Sequence, residues 1–153
     1  MSETPTDIVR RLLSDPTNPD VVHELVAEDS VYVSLNFDNP DLKQIMPWCG
    51  TGHGAQALLE TFTDVSRFWA VEKFEILDIF GSDNRVAVFG TFTYRSSVLG
   101  QEVTSPFAVL AKVDGGRVVY TQFMEDSFAT ARSFRSGGNW TIQSNPDGSV
   151  IEV

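Results

Sequence analysis

Two hydrophobic periods divide the chain. Up to about residue 70 apolar positions recur three and four apart, and from Val71 onward they recur every second residue. Thr4-Pro5-Thr6-Asp7 opens a first helix, with a capping hydroxyl, a proline where no N–H is needed, and an acid at the positive end of the helix dipole. Ile8, Val9, Leu12 and Leu13 form its apolar face, and Asp15-Pro16-Thr17 ends it. Asn18-Pro19-Asp20 opens a second helix whose stripe is Val21, Val22, Leu25 and Val26. Val31–Phe37 predicts a strand, closed by Asp38-Asn39-Pro40-Asp41. The stretch to Gly50 has no period and is expected to be irregular. Gly50-Thr51-Gly52-His53-Gly54 reads as a flexible loop ahead of a third helix, with Leu58, Leu59, Phe62, Val65 and Trp69 on its buried side.

The second half predicts four long strands, Phe74–Phe80, Arg85–Arg95, Glu102–Val113 and Arg117–Glu125, joined by short turns such as Asp114-Gly115-Gly116. An antiparallel meander of such length must curve, and Pro106 fits a bulge or an edge within it. Ser127–Phe134 predicts a short closing helix. Beyond Ser136-Gly137-Gly138, the segments Trp140–Gln143 and Val150–Val153 flank the turn signal Asn145-Pro146-Asp147-Gly148. The expected organisation is one domain over residues 1–135 and a C-terminal β-hairpin extension over 136–153. The fold class is α+β: a cone-shaped, curved antiparallel β-sheet packed against three N-terminal helices, plus a C-terminal helix and hairpin. A pocket belongs inside the cone.

Both faces of the sheet carry apolar side chains, for example Val103, Phe107 and Val109 on one strand and Ala87 and Phe89 on its neighbour. A homodimer formed through the sheet is the economical cover.

Composition narrows the function. With 153 residues, 42% apolar and 21% charged, the chain suits one globular domain with a real core. Eleven basic against 21 acidic residues give a net charge of −10, which repels phosphate backbones and anionic headgroups. Nucleic acid and membrane are therefore excluded as expected partners. Cys49 is the one cysteine, so no intrachain disulfide forms. The stretch from Met1 to Ile8 lacks a basic region and an apolar run, so no signal peptide is expected and the location is read as cytoplasmic. Two histidines and one cysteine without ligand spacing give no metal site. Gly50–Gly54 lacks the strand, lysine and spacing of a phosphate loop, and no nucleophile elbow is present. The chemistry is expected to need no cofactor.

Two segments carry a family resemblance: Pro47-Trp48-Cys49-Gly50-Thr51-Gly52-His53-Gly54 before the third helix, and Gly116–Asp126 along the last strand. In this order, between these helices and strands, they resemble the SnoaL-like branch of the nuclear transport factor 2-like superfamily, over roughly Thr6 to Phe134. The resemblance implies the cystatin-like α+β roll and pairing through the sheet. It leaves function open, since the fold hosts isomerases, cyclases, hydrolases and non-catalytic binders. Compared with the related steroid Δ-isomerases, Ser34 stands at the base position, and Leu12 and Val109 stand where the oxyanion donors belong. Such activity is therefore not expected. In the SnoaL-like pattern the acid ending the last strand is the usual acid/base, which corresponds to Asp126.

Asp126 is thus the first catalytic candidate. Unbroken alternation puts it on one face with Met124, Gln122, Tyr120 and Val118, where desolvation would raise its pKa. The competing reading is a cap for the helix that follows. On this alternation Glu125 points to the other side. His53 is the second candidate, as a neutral acid/base beside the third helix start. Trp48, Tyr32, Tyr120, Gln122 and Met124 are the candidate substrate-binding residues, for a small apolar or aromatic molecule. Two functions remain: an acid/base isomerase, cyclase or hydrolase, or a non-catalytic ligand-binding or protein-interaction module. A pocket filled by side chains favours the second; a buried acid within reach of His53 or a tyrosine favours the first.

Overall fold

The computed structural model describes residues 3–153; the reading of Met1 and Ser2 lies outside them. Helix α1 spans Pro5–Ser14, with the Thr4 side chain accepting from the Asp7 N–H and Asp7 reaching back to the Thr4 backbone. Helix α2 spans Pro19–Leu25, capped by Asn18. Strand β1 runs Val26–Ser34, helix α3 Pro40–Ile45, strand β2 Gly50–His53 and helix α4 Ala55–Phe68. Strands β3 (Trp69–Ser82), β4 (Arg85–Ser96), β5 (Glu102–Asp114) and β6 (Arg117–Glu125) follow, then helix α5, Ser127–Arg132. Thr141–Ile142 (β7) pairs antiparallel with Ile151–Glu152 (β8).

Four local expectations change. The first strand is Val26–Ser34 rather than Val31–Phe37, so Val26 belongs to it and not to the stripe of α2. The irregular stretch holds the short helix α3, because the Asn39 side chain accepts from both Asp41 and Leu42 N–H groups and Pro40 sets the first turn. The supposed glycine loop is strand β2, with Thr51 opposite Val33 and His53 opposite Val31. Trp69 begins a strand rather than ending a helix, and its indole N–H donates to Ser133 Oγ at 2.8 Å, tying β3 to the end of α5.

The six-stranded sheet has the order β2-β1-β6-β5-β4-β3. All its neighbours are antiparallel except β1 and β6, which run parallel with Tyr32 opposite Thr121 and Ser34 opposite Phe123. The sheet curves around the helices with strict alternation in β4 and β5. Val86, Val88, Phe92 and Tyr94, with Val103, Phe107 and Val109, are buried on the concave face, whereas Phe89 and Leu110 are exposed on the other. Val103, Phe107 and Val109 therefore belong to the core, and Ala87 and Phe89 to the opposite face. Leu12 on α1, Leu25 on α2 and Leu58 on α4 close the same core.

Curvature has three visible sources. The β3–β4 register slips between Val71 and Lys73 and again between Ile76 and Asp78. Gly90, opposite Ile76, lies so close to the Glu75 carbonyl and the Phe107 ring that no side chain fits there. Pro106 sits without a bulge opposite Thr91, just past the last β5–β6 pair, Phe107–Glu125. There β5 has lost its β6 neighbour, so a residue without an N–H is tolerated. Gly90→Ala is expected to cost about 1–3 kcal/mol through overpacking, read as a fall in thermal midpoint of several degrees with secondary structure retained.

Candidate functional site

The concave face of β6 decides which side chains enter the cone. Lys112 pairs with Tyr120 but Val113 pairs with Val118, so Val119 is an extra residue in β6. This bulge breaks the alternation. Val118 points inward, and beyond the bulge Thr121, Phe123 and Glu125 take the inward positions. Tyr120, Gln122 and Met124 are displaced to the outer face. There the Tyr120 hydroxyl donates to Gln122 Oε1 at 3.1 Å, and the Lys112 ammonium lies 4.8 Å from the centre of the Tyr120 ring.

Glu125 consequently lines a small chamber of about 20 Å³ together with Tyr32, Ser34, Trp48, Thr61 and Tyr94. Phe62, Val65 and Phe123 complete its wall. Tyr32 and Ser34 arrive from β1, Trp48 from the turn before β2, Thr61 from α4 and Tyr94 from β4. Glu125 Oε2 is sealed from solvent and has no protein hydrogen-bond partner. Burial, helped by the nearby Asp126 charge, pushes the Glu125 carboxyl up to about 7; the Thr130 hydroxyl pulls the other way and is outweighed. Burial also drives the Tyr32 and Tyr94 hydroxyls well above the ordinary tyrosine range, with the Glu125 charge adding to the effect, so both stay protonated donors. The Cys49 thiol is pushed up to about 12 by burial and by Glu125, which leaves it protonated and poorly nucleophilic at neutral pH.

Phe62, Val65 and Tyr94 also line a wider cleft of about 640 Å³, walled by Leu13, Val71, Phe74 and Ile76, with Arg10 and Glu75 among its polar lining. A larger cleft, about 860 Å³, lies elsewhere, between α3, α5 and residues 137–140.

Of the residues singled out in the sequence, the structure brings Tyr32 and Trp48 to the chamber. Trp48 meets Phe68 and Trp69 edge-on, with ring centres 4.9 and 5.4 Å apart. Asp126 lies outside the chamber as the cap of α5, its Oδ1 accepting from the Ala129 N–H at 3.1 Å. His53 is exposed at the end of β2. Tyr120, Gln122 and Met124 are on the opposite face for the reason given above. Glu125 and Thr61 are polar chamber residues that the sequence reading did not assign to a site. The doublet Val118-Val119 was the available signal, since two adjacent apolar residues break a period of two. Among the described residues no cluster of His, Cys, Asp and Glu could hold a metal ion, and no helix is long and apolar enough to cross a membrane.

A curved sheet wrapped over helices is the α+β fold of nuclear transport factor 2-like proteins. The chain belongs to the SnoaL-like domain family, which matches residues 12–121. It is 44% identical over 150 residues to the patulin synthesis protein F of Aspergillus clavatus, covering 94% of this chain and 76% of that protein. Its fold is that of a nuclear transport factor 2-like protein from Burkholderia thailandensis, with a TM-score of 0.73 and 18% identity over 87% of this chain and 98% of that one. It is also that of TerC, crystallised with polyporic acid, with a TM-score of 0.69 and 17% identity over 84% and 97% of the two chains.

The raised Glu125 pKa fixes a sign for stability. Its folded-state pKa, about 7, exceeds the ordinary 4.5, so the folded protein holds a proton that the unfolded chain releases. Stability is therefore expected to fall as pH rises from about 4.5 to about 7, and to level off above. Glu125→Gln is expected to remove most of that slope and to stabilise the fold above pH 7 by up to ~3 kcal/mol. Denaturant titrations of both proteins across this range check it.

Proposed function

We propose that this chain is a cofactor-independent enzyme of small-molecule biosynthesis that performs acid/base chemistry on a small, largely apolar substrate, as an isomerase, cyclase or hydrolase. The observation that carries this reading is the Glu125 carboxyl, whose Oε2 is sealed from solvent without a protein hydrogen-bond partner and which is pushed up to about 7 in a chamber it shares with Tyr32 and Tyr94. A general acid or base works best with a pKa near the working pH. Tyr32 and Tyr94, protonated and desolvated, are suited to stabilise an oxygen that gains negative charge. Glu125, rather than its neighbour Asp126, is assigned the acid/base role, because the Asp126 carboxylate is engaged by the α5 backbone. The apolar cleft beside the chamber suits a ring of the polyketide type. The relative named for patulin synthesis supports a place in secondary metabolism, and the neighbour crystallised with polyporic acid supports an aromatic ligand.

Glu125→Gln is expected to lower kcat about 10²–10⁴-fold on the physiological substrate while ligand binding survives. If Glu125 acts as the base, kcat/KM for the wild type rises through a midpoint near pH 7. A Glu125→Gln variant with full turnover removes the assignment. A second reading, a non-catalytic binder, is favoured by one observation: the chamber itself is nearly filled by side chains. Saturable binding of pathway intermediates with no conversion by the wild type would establish it.

The outer sheet face supports a homodimer. Leu77, Phe80, Phe89, Leu110 and Met124 are exposed there, with Phe80 stacked on Phe89 at 6.2 Å. A patch of this kind on an antiparallel sheet calls for a cover. Sedimentation at micromolar protein is expected to show a dimer, and Phe89→Asp combined with Leu110→Asp a monomer. A wild-type monomer overturns the proposal.

A further inference from the structure

The acid/base group and the space large enough for a substrate do not coincide. Glu125 lines a chamber of about 20 Å³, whereas the neighbouring cleft offers about 640 Å³. Phe62, Val65 and Tyr94 line both, and Phe62 is only 8% exposed. No organic substrate fits the chamber as it stands. One water does, since a water needs roughly 10–15 Å³ and two to four polar partners. The chamber supplies those partners. Glu125 Oε2 is a sealed acceptor without a protein donor. Tyr32, Ser34 and Tyr94, each carrying a hydroxyl, line the same space, with Ser34 close enough to Tyr32 to lower its pKa, while the Thr61 hydroxyl is already given to the Ala57 carbonyl at 2.8 Å. A buried acceptor left unmatched loses the hydrogen bonds it made to water in the unfolded chain, and a bound water restores them. A carboxyl can move a proton directly or through one such water.

We propose that the chamber is a one-water site, that this water relays the proton between Glu125 and a substrate seated in the outer cleft, and that Phe62 is the partition setting how deep the substrate reaches. The relay rests on the reading of Glu125 as the acid/base group. In the abstraction direction the substrate C–H bond breaks and its electron pair stays on the substrate. The water oxygen takes that proton while one of its own O–H bonds breaks and passes a proton to the Glu125 carboxylate. The water is unchanged overall, and the carboxylate has become a carboxylic acid. The proton returns by the same route to another substrate atom, which completes an isomerisation. The Tyr94 hydroxyl, shared by chamber and cleft, is placed to stabilise the intermediate oxyanion.

Two measurements test this on the intact protein. A high-resolution crystal structure of the wild type is expected to show a single water within hydrogen-bond distance of Glu125 Oε2 and of a tyrosine hydroxyl. A dry chamber, or a Glu125 carboxyl bonded directly to a protein hydroxyl through Oε2, overturns the relay. The second measurement follows the Glu125 carboxyl by carbon NMR titration, with and without phenol as the probe. Phenol is expected to leave the wild-type midpoint where it is. It is expected to raise the midpoint in Phe62→Ala, where chamber and cleft merge and an aromatic ring can displace the water. A midpoint that phenol moves equally in both proteins overturns the partition. Phe62→Leu, with a smaller opening, serves in the same comparison if Phe62→Ala does not fold. Failure of the catalytic reading looks different: Glu125→Gln then keeps full turnover although the wild-type chamber holds its water.

Discussion

The extra residue in β6 decides which side chains of the last strand face the interior. Without the bulge at Val119, the inward positions of the last strand would be Val118, Tyr120, Gln122 and Met124, and Glu125 would face outward. With it, a carboxyl is carried into an apolar interior that water does not freely reach. The perturbed groups of the site are raised first by their own burial, and the placement of Glu125 adds to each. Burial raises Glu125, its charge adds to the rise of both tyrosines and of Cys49, and the neighbouring Asp126 is left at the surface to cap α5. One inserted residue therefore exchanges the roles of two adjacent acids.

Placing the acid is only useful because the sheet curves. The register slips in β3–β4 and the side-chain-free approach at Gly90 bend the long strands around the helices. The aromatic rings then stack across the concave face, Phe107 on Phe123 at 5.3 Å and on Phe74 at 4.6 Å. This filling keeps bulk water out of the cone, and it also makes the chamber narrow. Both have the same origin, so the burial that raises the Glu125 pKa also leaves too little room for an organic molecule beside it. Phe62, Val65 and Tyr94 form the wall between this chamber and the wider cleft.

The convex face is set by different physics. Alternation in β4 and β5 gives one side wholly to the core and leaves Phe89, Leu110 and their neighbours on the other. Chamber and exposed apolar face are thus two sides of the same strands, and the β6 bulge changes which residues lie on each.

Local chemistry alone was enough for much of this. The Thr4-Pro5 and Asn18-Pro19 starts, the period of 3.6 followed by a period of two, and the glycine turn after Asp114 specify helices and strands through contacts within a few residues, and those elements appear where the sequence places them. The α+β cone and the family follow from their order. Tyr32 and Trp48 were legible as pocket candidates because large amphipathic side chains near a strand and a turn have few other uses. What tertiary structure alone decided was the parallel partner of β1, the strand made from Gly50–His53, and the inward face of β6. Pairing between distant strands depends on register over the whole sheet, and no short window of sequence contains it. A bulge is a local accommodation to that global register. The doublet Val118-Val119 permitted one, but only the fit of β6 between β1 and β5 required it, and with it the choice of Glu125 over Asp126.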